Sequence, residues 1–461
     1  MKNIVLPKKY LSIISKIVLS AKENNFETYI VGGFVRDLLL NREPKDLDIM
    51  VYSKDKIADK QFSGINFSKI LAKKYSLHDP VVFEKFGTSK LLIDSEEVEF
   101  VMPRKEYYKF DSRNPDINPA SLEEDALRRD FTINALFLRL SDMTILDFTS
   151  KSIKDIKNKI IRVVNPKNTE IIFKQDPLRI LRAVRQSLQL GFSIETTTYD
   201  AMKDSAKRID IVSPEHIREE LNKIIIEHTP SKAFLMMYNI NLLQKILPEI
   251  ARLKSLKQFI NYHFDDVFTH TLNVLDRTRN DITLRMSALL HDIGKFKTHK
   301  KLNNKISFLG HEFESAKESE SILKRLKYPK DFIVKVSSII KNHTYPKMYT
   351  NNWSDNTIRR FFKRCGDKFD SIMEISKANY DKINDENKLT ELNARVKYLK
   401  LKNMLYLKGE MFSGKELMEI FDKPAGKWIK IVKNKIEELQ IENPKITKDK
   451  TIKTIKDLNI L

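Results

Sequence analysis

The chain has 461 residues, 41% hydrophobic and 31% charged, and its 83 Lys+Arg against 62 Asp+Glu give a formal net charge of +21. That apolar content excludes a disordered chain, and at about 100–200 residues per domain the length predicts two to four domains, each able to bury a core. No apolar run approaches the roughly 18 residues of a membrane span, and the N-terminus lacks the pattern of a signal peptide, so the expectation is a cytoplasmic protein with no membrane partner. Cys365 is the only cysteine, so internal disulfides and thiolate metal sites are excluded and any metal must sit on oxygen or imidazole. The positive charge fits a polyanionic partner such as nucleic acid, and equally an AT-biased genome that favours Lys, Asn and Ile.

In chain order, residues 27–31, 47–52, 90–94, 98–102 and 135–140 alternate as strands, and strand-like alternation is confined to the first 150 residues. Gly32 and Gly33 turn the first strand into a helix. Such a turn lets a phosphate approach backbone N–H groups at a helix N-terminus, although tight packing at the turn explains the glycines equally well. Asp46 and Asp48 are two apart and share one face of the next strand, where their mutual repulsion calls for a cation, and hard oxygen ligands suit Mg²⁺. Glu99 sits among apolar positions of its own strand. Asp46, Asp48 and Glu99 are therefore the candidate catalytic set, holding two Mg²⁺ ions for an in-line displacement at a nucleotide α-phosphate. Arg128 and Arg129 offer forked donors to a triphosphate, and Asp130 and Asn134, four apart on a helix turn, suit a ribose hydroxyl.

From about residue 167 the apolar spacing becomes helical. Asp176 and Arg179, three apart, are expected on one helix face. A carboxylate accepting from an exocyclic amine, beside a guanidinium donating to a ring nitrogen, admits cytosine and adenine and rejects guanine and uracil. Arg182 and Arg185 extend that face towards phosphate or pack against the acidic side of the head. Further on, His270 precedes His291-Asp292 by 21 residues, Gly294-Lys295 follows, and His311 and His343 lie beside Glu312 and Asn342. Imidazole with carboxylate suits a transition metal or Mn²⁺, or a mixed site that activates water. The last 100 residues read as Lys-rich helix that either grips a nucleic acid by shape and phosphate charge or packs on the preceding domain.

Gly32-Gly33-Phe34-Val35-Arg36-Asp37, Asp46-Leu47-Asp48, Val98-Glu99-Phe100, Arg113 with Pro115, the run 124–135 around Arg128-Arg129-Asp130, and the run 176–185 appear in an order and spacing that resemble the class II tRNA nucleotidyltransferase and bacterial poly(A) polymerase superfamily. The resemblance implies an α+β protein: a polymerase-β-like head with a small mixed sheet at 1–145, a helical neck at 146–250, a body at 251–350 and a basic tail at 351–461. It implies nucleotide binding by Gly32, Gly33, Arg36, Arg128, Arg129, Asp130, Asn134, Asp176, Arg179 and Arg182, with ribonucleotide choice by the Arg-Arg-Asp unit and base choice by Asp176 and Arg179. Gln175 departs from the family's Glu, Lys151 from a Gly and His216 from an Arg, for which Arg218 is a substitute. The polar stretch 107–115 resembles the flexible loop of enzymes that add the full CCA. The segment around His291-Asp292 resembles the HD phosphohydrolase superfamily, which implies His270, His291 and Asp292 as metal ligands, with Asp381 offered as the distal carboxylate. The expectation is a CCA-adding enzyme using CTP, ATP and the tRNA 3′ end. The alternatives are an A-adding enzyme or poly(A) polymerase, and an HD-type hydrolase of nucleotides or RNA ends.

Overall fold

The computed structural model describes residues 4–53, 62–108, 113, 115–165, 169–260, 263–302, 305–379, 383–405 and 411–458. The chain divides into two compact units, Met1–Pro248 and Glu249–Leu461. The first opens with helix α1 (Lys8–Glu23), which buries Tyr10, Ile13, Ile14, Ile17 and Ala21 at helical spacing. Its mixed sheet contains β1 (Phe26–Val31), β2 (Leu47–Ser53), β3 (Val81–Phe83), β4 (Thr88–Ile93), β5 (Glu96–Val101), β8 (Leu136–Arg139) and β9 (Ile145–Asp147), in the spatial order β3-β4-β5-β2-β1-β8-β9. The short strands β6 (Arg104–Tyr107) and β7 (Asp116–Pro119) form a separate hairpin. β2 and β5 run parallel in register, and the other pairs in the main sheet are antiparallel. Four of these strands, β3, β6, β7 and β9, were not expected from alternation; with three or four residues each they are too short to show a period of two.

Helices α2 (Gly33–Leu39), α3 (Ser63–Lys74) and α4 (Leu122–Arg128) flank the sheet, α4 starting in a capping box between Ser121 and Glu124. The neck begins with Thr169–Gln175 and continues in α5 (Leu178–Leu190), which buries Leu178, Ile180, Leu181, Ala183 and Val184. The expectation that Asp176 and Arg179 share one continuous helix is corrected here. Pro177 disfavours helical backbone in the residue before it, so the helix breaks at Asp176, whose carboxylate instead accepts from Leu178 N–H at 3.2 Å. A parallel pair, Ile160–Ile161 with Ser193–Ile194, adds two short strands to the neck.

The second unit is mainly helical. Around its candidate metal centre stand α6 (Val267–Arg277), α7 (Ile282–Leu290), α8 (His311–Arg325), α9 (Lys330–Asn342) and α10 (Phe369–Ala378). Strands were not expected after residue 150, yet two hairpins occur here, Lys257–Ile260 with His263–Asp266 and Lys300–Leu302 with Lys305–Ser307. Three terminal helices, Gly414–Phe421, Lys427–Glu442 and Lys448–Asp457, pack around Leu417, Val432, Ile436 and Ile455.

Gly64 lets α3 lie flat on β5, the strand that carries Glu99. A Cβ there would sit 2.9 Å from the Val101 carbonyl carbon and 3.0 Å from its nitrogen, both backbone atoms that cannot swing away. Gly64→Ala should therefore destabilise the head by about 1–3 kcal/mol, read as a lower denaturant midpoint; an unchanged midpoint would contradict this packing.

Candidate functional site

β1 is followed by Gly32, whose φ of +76° is a left-handed conformation suited to glycine. The turn delivers the chain to α2 and places Gly32 next to Asp48 and Arg129: a Cβ on Gly32 would lie 3.6 Å from Asp48 Oδ2 and 3.7 Å from Arg129 Nη1. On β2, Leu47 and Ile49 are buried in the core, while Asp48 is half-buried and Asp46, just before the strand, is exposed. The parallel register sets Asp48 directly beside Glu99 of β5. Burial first, and then the charges of Glu99 and Asp46, push the Asp48 carboxyl up to about 6, with Arg129 pulling the other way. Glu99 is also raised, mainly by burial, with Lys90 and Arg104 opposing. Crowded, partly desolvated carboxylates of this kind are what a divalent cation relieves, so the donor set fits hard-metal binding.

Asp125, fully buried, organises the arginines. Its Oδ1 accepts from Arg128 Nε at 2.9 Å and its Oδ2 from Arg129 Nε at 3.0 Å. Burial works against the anion, but Arg128 and Arg129 hold its carboxyl below the usual range. Arg128 also reaches Glu106 Oε1 and the Arg104 carbonyl, both at 2.8 Å, whereas Arg129, besides Asp125, donates to the Asn134 carbonyl at 3.3 Å and lies beside Gly32. Asp130 and Asn134 meet across a 3₁₀ turn, Thr132–Asn134, rather than an α-helical one, with Asn134 Nδ2 donating to Asp130 Oδ1 at 3.0 Å. Arg36 donates to Asn134 Oδ1 at 2.8 Å, and Gln186 of α5 accepts from Asn134 at 3.0 Å. Asp130 also accepts from Arg182 at 2.9 Å, a pairing that overrides burial and keeps Asp130 ionised.

Asp176 and Arg179 both meet the β6 side of the head. Asp176 lies 3.1 Å from Arg113, and Arg179, 7% exposed, donates to the Tyr108 hydroxyl at 3.3 Å with Glu106 Oε2 at 3.7 Å. Sequence reasoning missed Glu106, Tyr108 and Gln186. The one signal for Glu106 was its alternation with Arg104 and Tyr108 in a polar stretch. Residues 109–112 and 114 of the flexible-loop segment lie outside the described residues. Of the departures, Lys151 is unstrained because the left-handed position falls at Ser150 (φ +57°), and His216 Nδ1 meets Ser213 Oγ at 2.6 Å at the start of Pro214–Ile225. Arg185 is held by Glu220 at 2.6 Å.

In the second unit, Asp266 caps α6 and seats His270 one turn in; His291 and Asp292 follow directly after α7. Gly294 then admits α8 at close range, since a Cβ there would lie 2.4 Å from Ser315 N and 2.5 Å from the His311 carbonyl oxygen. His291, His311 and His343 each donate from Nδ1 to the carbonyl three residues earlier, at 2.7, 2.9 and 2.6 Å. That places a proton on Nδ1 and turns Nε2 towards the pocket, the arrangement of metal-bound histidines. His291 Nε2 and His343 Nε2 are buried without hydrogen-bond partners. Asp292 is fully buried, yet His291 and Lys295 hold its carboxyl well below the usual range; burial, followed by His291, leaves His343 neutral. His311 and His343 thus join the expected His270, His291 and Asp292. The residue that reaches His270 from the distal side is Asn379, with Oδ1 2.8 Å from Nε2. Asp381 lies outside the described residues.

The raised Asp48 carboxyl carries a sign that can be measured. Its folded value, about 6, exceeds the ordinary 3.8, so the metal-free fold holds this proton more tightly than the unfolded chain. Stability is unaffected below the lower value, falls as pH rises through the window, and stays reduced above it. In EDTA, Asp48→Asn should therefore be more stable than the parent above pH 6 by roughly 1–3 kcal/mol, with the gain vanishing near pH 4. Thermal melts across that range check this, and a pH-independent difference would contradict it.

Three family models match the chain: the poly A polymerase head domain at residues 28–162, an RNA-binding region of polymerase A at 191–254 and the HD domain at 262–400. An A-adding tRNA nucleotidyltransferase of Geobacter sulfurreducens is 31% identical over 284 residues, which cover 60% of this chain but only 29% of that protein. A similar enzyme of Aquifex aeolicus is covered over 20% of its length. The chain thus spans less than a third of these first relatives. A multifunctional CCA protein of Janthinobacterium is 33% identical over 66% of this chain and 70% of its own. The fold resembles the Bacillus stearothermophilus CCA-adding enzyme solved with CTP, with a TM-score of 0.69 at 20% identity over 98% of both chains. Together with the carboxylate and arginine clusters of the head, these matches show that the chain belongs to the tRNA nucleotidyltransferase and poly(A) polymerase family, whose members use a divalent metal.

Proposed function

We propose that the chain is a cytoplasmic CCA-adding tRNA nucleotidyltransferase that adds C, C and A from CTP and ATP to the tRNA 3′ end and releases pyrophosphate. The observation that carries the reading is the adjacency of Asp48 and Glu99 in the parallel register, beside Gly32 and Arg129. Asp46, Asp48 and Glu99 would hold two Mg²⁺ ions, which lower the pKa of the attacking 3′-hydroxyl and offset charge on the leaving group. Arg129 faces the triphosphate. Arg128, committed to Asp125 and Glu106, holds the floor beneath it. Asp130 and Asn134, locked by Arg36, Gln186 and Arg182, present fixed polar atoms to the ribose. Asp176 and Arg179 read the base, exchanging their contacts with Arg113 and Tyr108 for the Watson–Crick edge. Relatives named for A addition, CC addition and multifunctional CCA activity all match the chain, so the division of labour is settled by assay.

A second activity is favoured by the buried histidines around Asp292: phosphoester hydrolysis in the second unit, supported by the HD-domain match. Loss of the head carboxylates leaves this activity intact.

The test supplies tRNA lacking CCA, tRNA ending in CC and complete tRNA, with CTP and ATP singly and together. Growth by three residues only with both nucleotides is expected. Extension of only the CC end by ATP would mean A addition, a long ATP-dependent ladder on complete tRNA would mean poly(A) synthesis, and no growth would overturn the reading. Glu99→Gln should lower incorporation by a factor on the order of 10³. Asp176→Ala should retain transfer but lose discrimination against UTP and GTP, measured as the ratio of kcat/KM values.

A further inference from the structure

Among the described residues, the pocket around Asp292 contains four imidazoles, one carboxylate and one amide oxygen, delivered by the ends or first turns of five helices. Its ligand atoms fall into two sets that share Asp292: His270, His291 and Asp292, and Asp292, His311 and His343, each set lying within 4.8 Å. The two carboxylate oxygens divide between them. Oδ2 lies 3.1 Å from His291 Nε2 and 3.5 Å from His270 Nε2, while Oδ1 lies 3.2 Å from His311 Nε2. That is the geometry of a bridging ligand. Independent support comes from His291 and His343, both fully buried, with Nε2 atoms that have no hydrogen-bond partner.

The charge balance is uneven. Asn379 completes the first set with a neutral oxygen where a carboxylate would supply a negative charge. Lys295 Nζ, 2.6 Å from Asp292 Oδ2, already offsets the one anion that the described residues contribute to the set. Two divalent ions here would leave several uncompensated positive charges in a buried site, a cost that protein dipoles alone do not cover. A multiply charged oxyanion bridging both ions, with Lys295 alongside, removes that cost; a neutral water does not.

We propose that this pocket takes one transition-metal ion on its own and a second only together with a phosphate-type oxyanion, Asn379 being the residue that makes the second ion conditional. The proposal rests on the hydrolase reading of the same pocket and adds to it an order of assembly: the substrate's phosphate completes the metal centre. Imidazole-rich donors favour Co²⁺, Mn²⁺, Ni²⁺ or Zn²⁺ over Mg²⁺, which separates this site from the head carboxylates.

The experiment uses full-length Asp48→Asn protein, which weakens the head site, with excess Mg²⁺ present. Bound Co²⁺ is counted by equilibrium dialysis and metal analysis at neutral pH, in chloride buffer and in the same buffer with inorganic phosphate. One Co²⁺ per chain is expected in chloride and two in phosphate. Asn379→Asp, nearly isosteric, should bind two in chloride alone, and His343→Gln should stay at one in phosphate. Two ions in chloride with Asn379 intact, or one ion in phosphate, would overturn the proposal while leaving the metal-site reading standing. No bound Co²⁺ in either buffer would overturn both.

Discussion

The head is organised around a repulsion. Two parallel strands place Asp48 and Glu99 side by side, with Asp46 nearby, and burial makes the crowding costly enough to lift Asp48 to about 6. A sequence selected only for stability would not keep that arrangement, because replacing one carboxylate by an amide removes the strain. The surrounding structure is consistent with maintaining it. Gly64 seats α3 against β5, Gly32 opens a path to Asp48, and the salt-bridged Asp125 holds two arginines at the edge of the acidic patch rather than on it. Positive charge thereby stands where a triphosphate would lie, without neutralising the carboxylates that would bind metal.

A second network joins the head to α5. Asp130, Asn134, Arg36, Gln186 and Arg182 form one connected set of hydrogen bonds, and the adjoining Glu106, Tyr108 and Arg179 form another. Each buried charge in them has a partner, so they add rigidity without the penalty of an isolated ion. The second unit solves a related problem with histidine. Three backbone carbonyls accept from Nδ1 of His291, His311 and His343, which aims their Nε2 atoms at a buried carboxylate.

Much of the head was legible from sequence because its chemistry is local. Asp46 and Asp48 sit two apart at the start of a strand, and Glu99 stands out as a charge among apolar neighbours, so the alternation placed Asp48 and Glu99 on the sheet. The places where the reading differed depend on contacts between distant residues. Arg128 and Arg129 look alike in sequence and both pair with Asp125; it is Glu106 and the Arg104 carbonyl that set Arg128 apart. Asp176 read as helical because spacing was weighed over the effect of Pro177 on the preceding residue. His311 and His343 were visible as histidines near polar neighbours, but only packing of α8 through Gly294, and of α9 beside α7, gathers them around Asp292. Asn379 was not legible because an amide oxygen carries no charge to mark it as a ligand, while Asp381 lies outside the described residues.

The central claim is that the Asp48–Glu99 pair is a cation site at which a nucleoside triphosphate reacts. Crystals of the full chain grown with CTP and Mn²⁺, measured for anomalous scattering, test it most directly. The account predicts manganese peaks between Asp46, Asp48, Glu99 and the triphosphate, with Arg129 against the phosphates. A triphosphate bound elsewhere, or bound without manganese at Asp48, would contradict it.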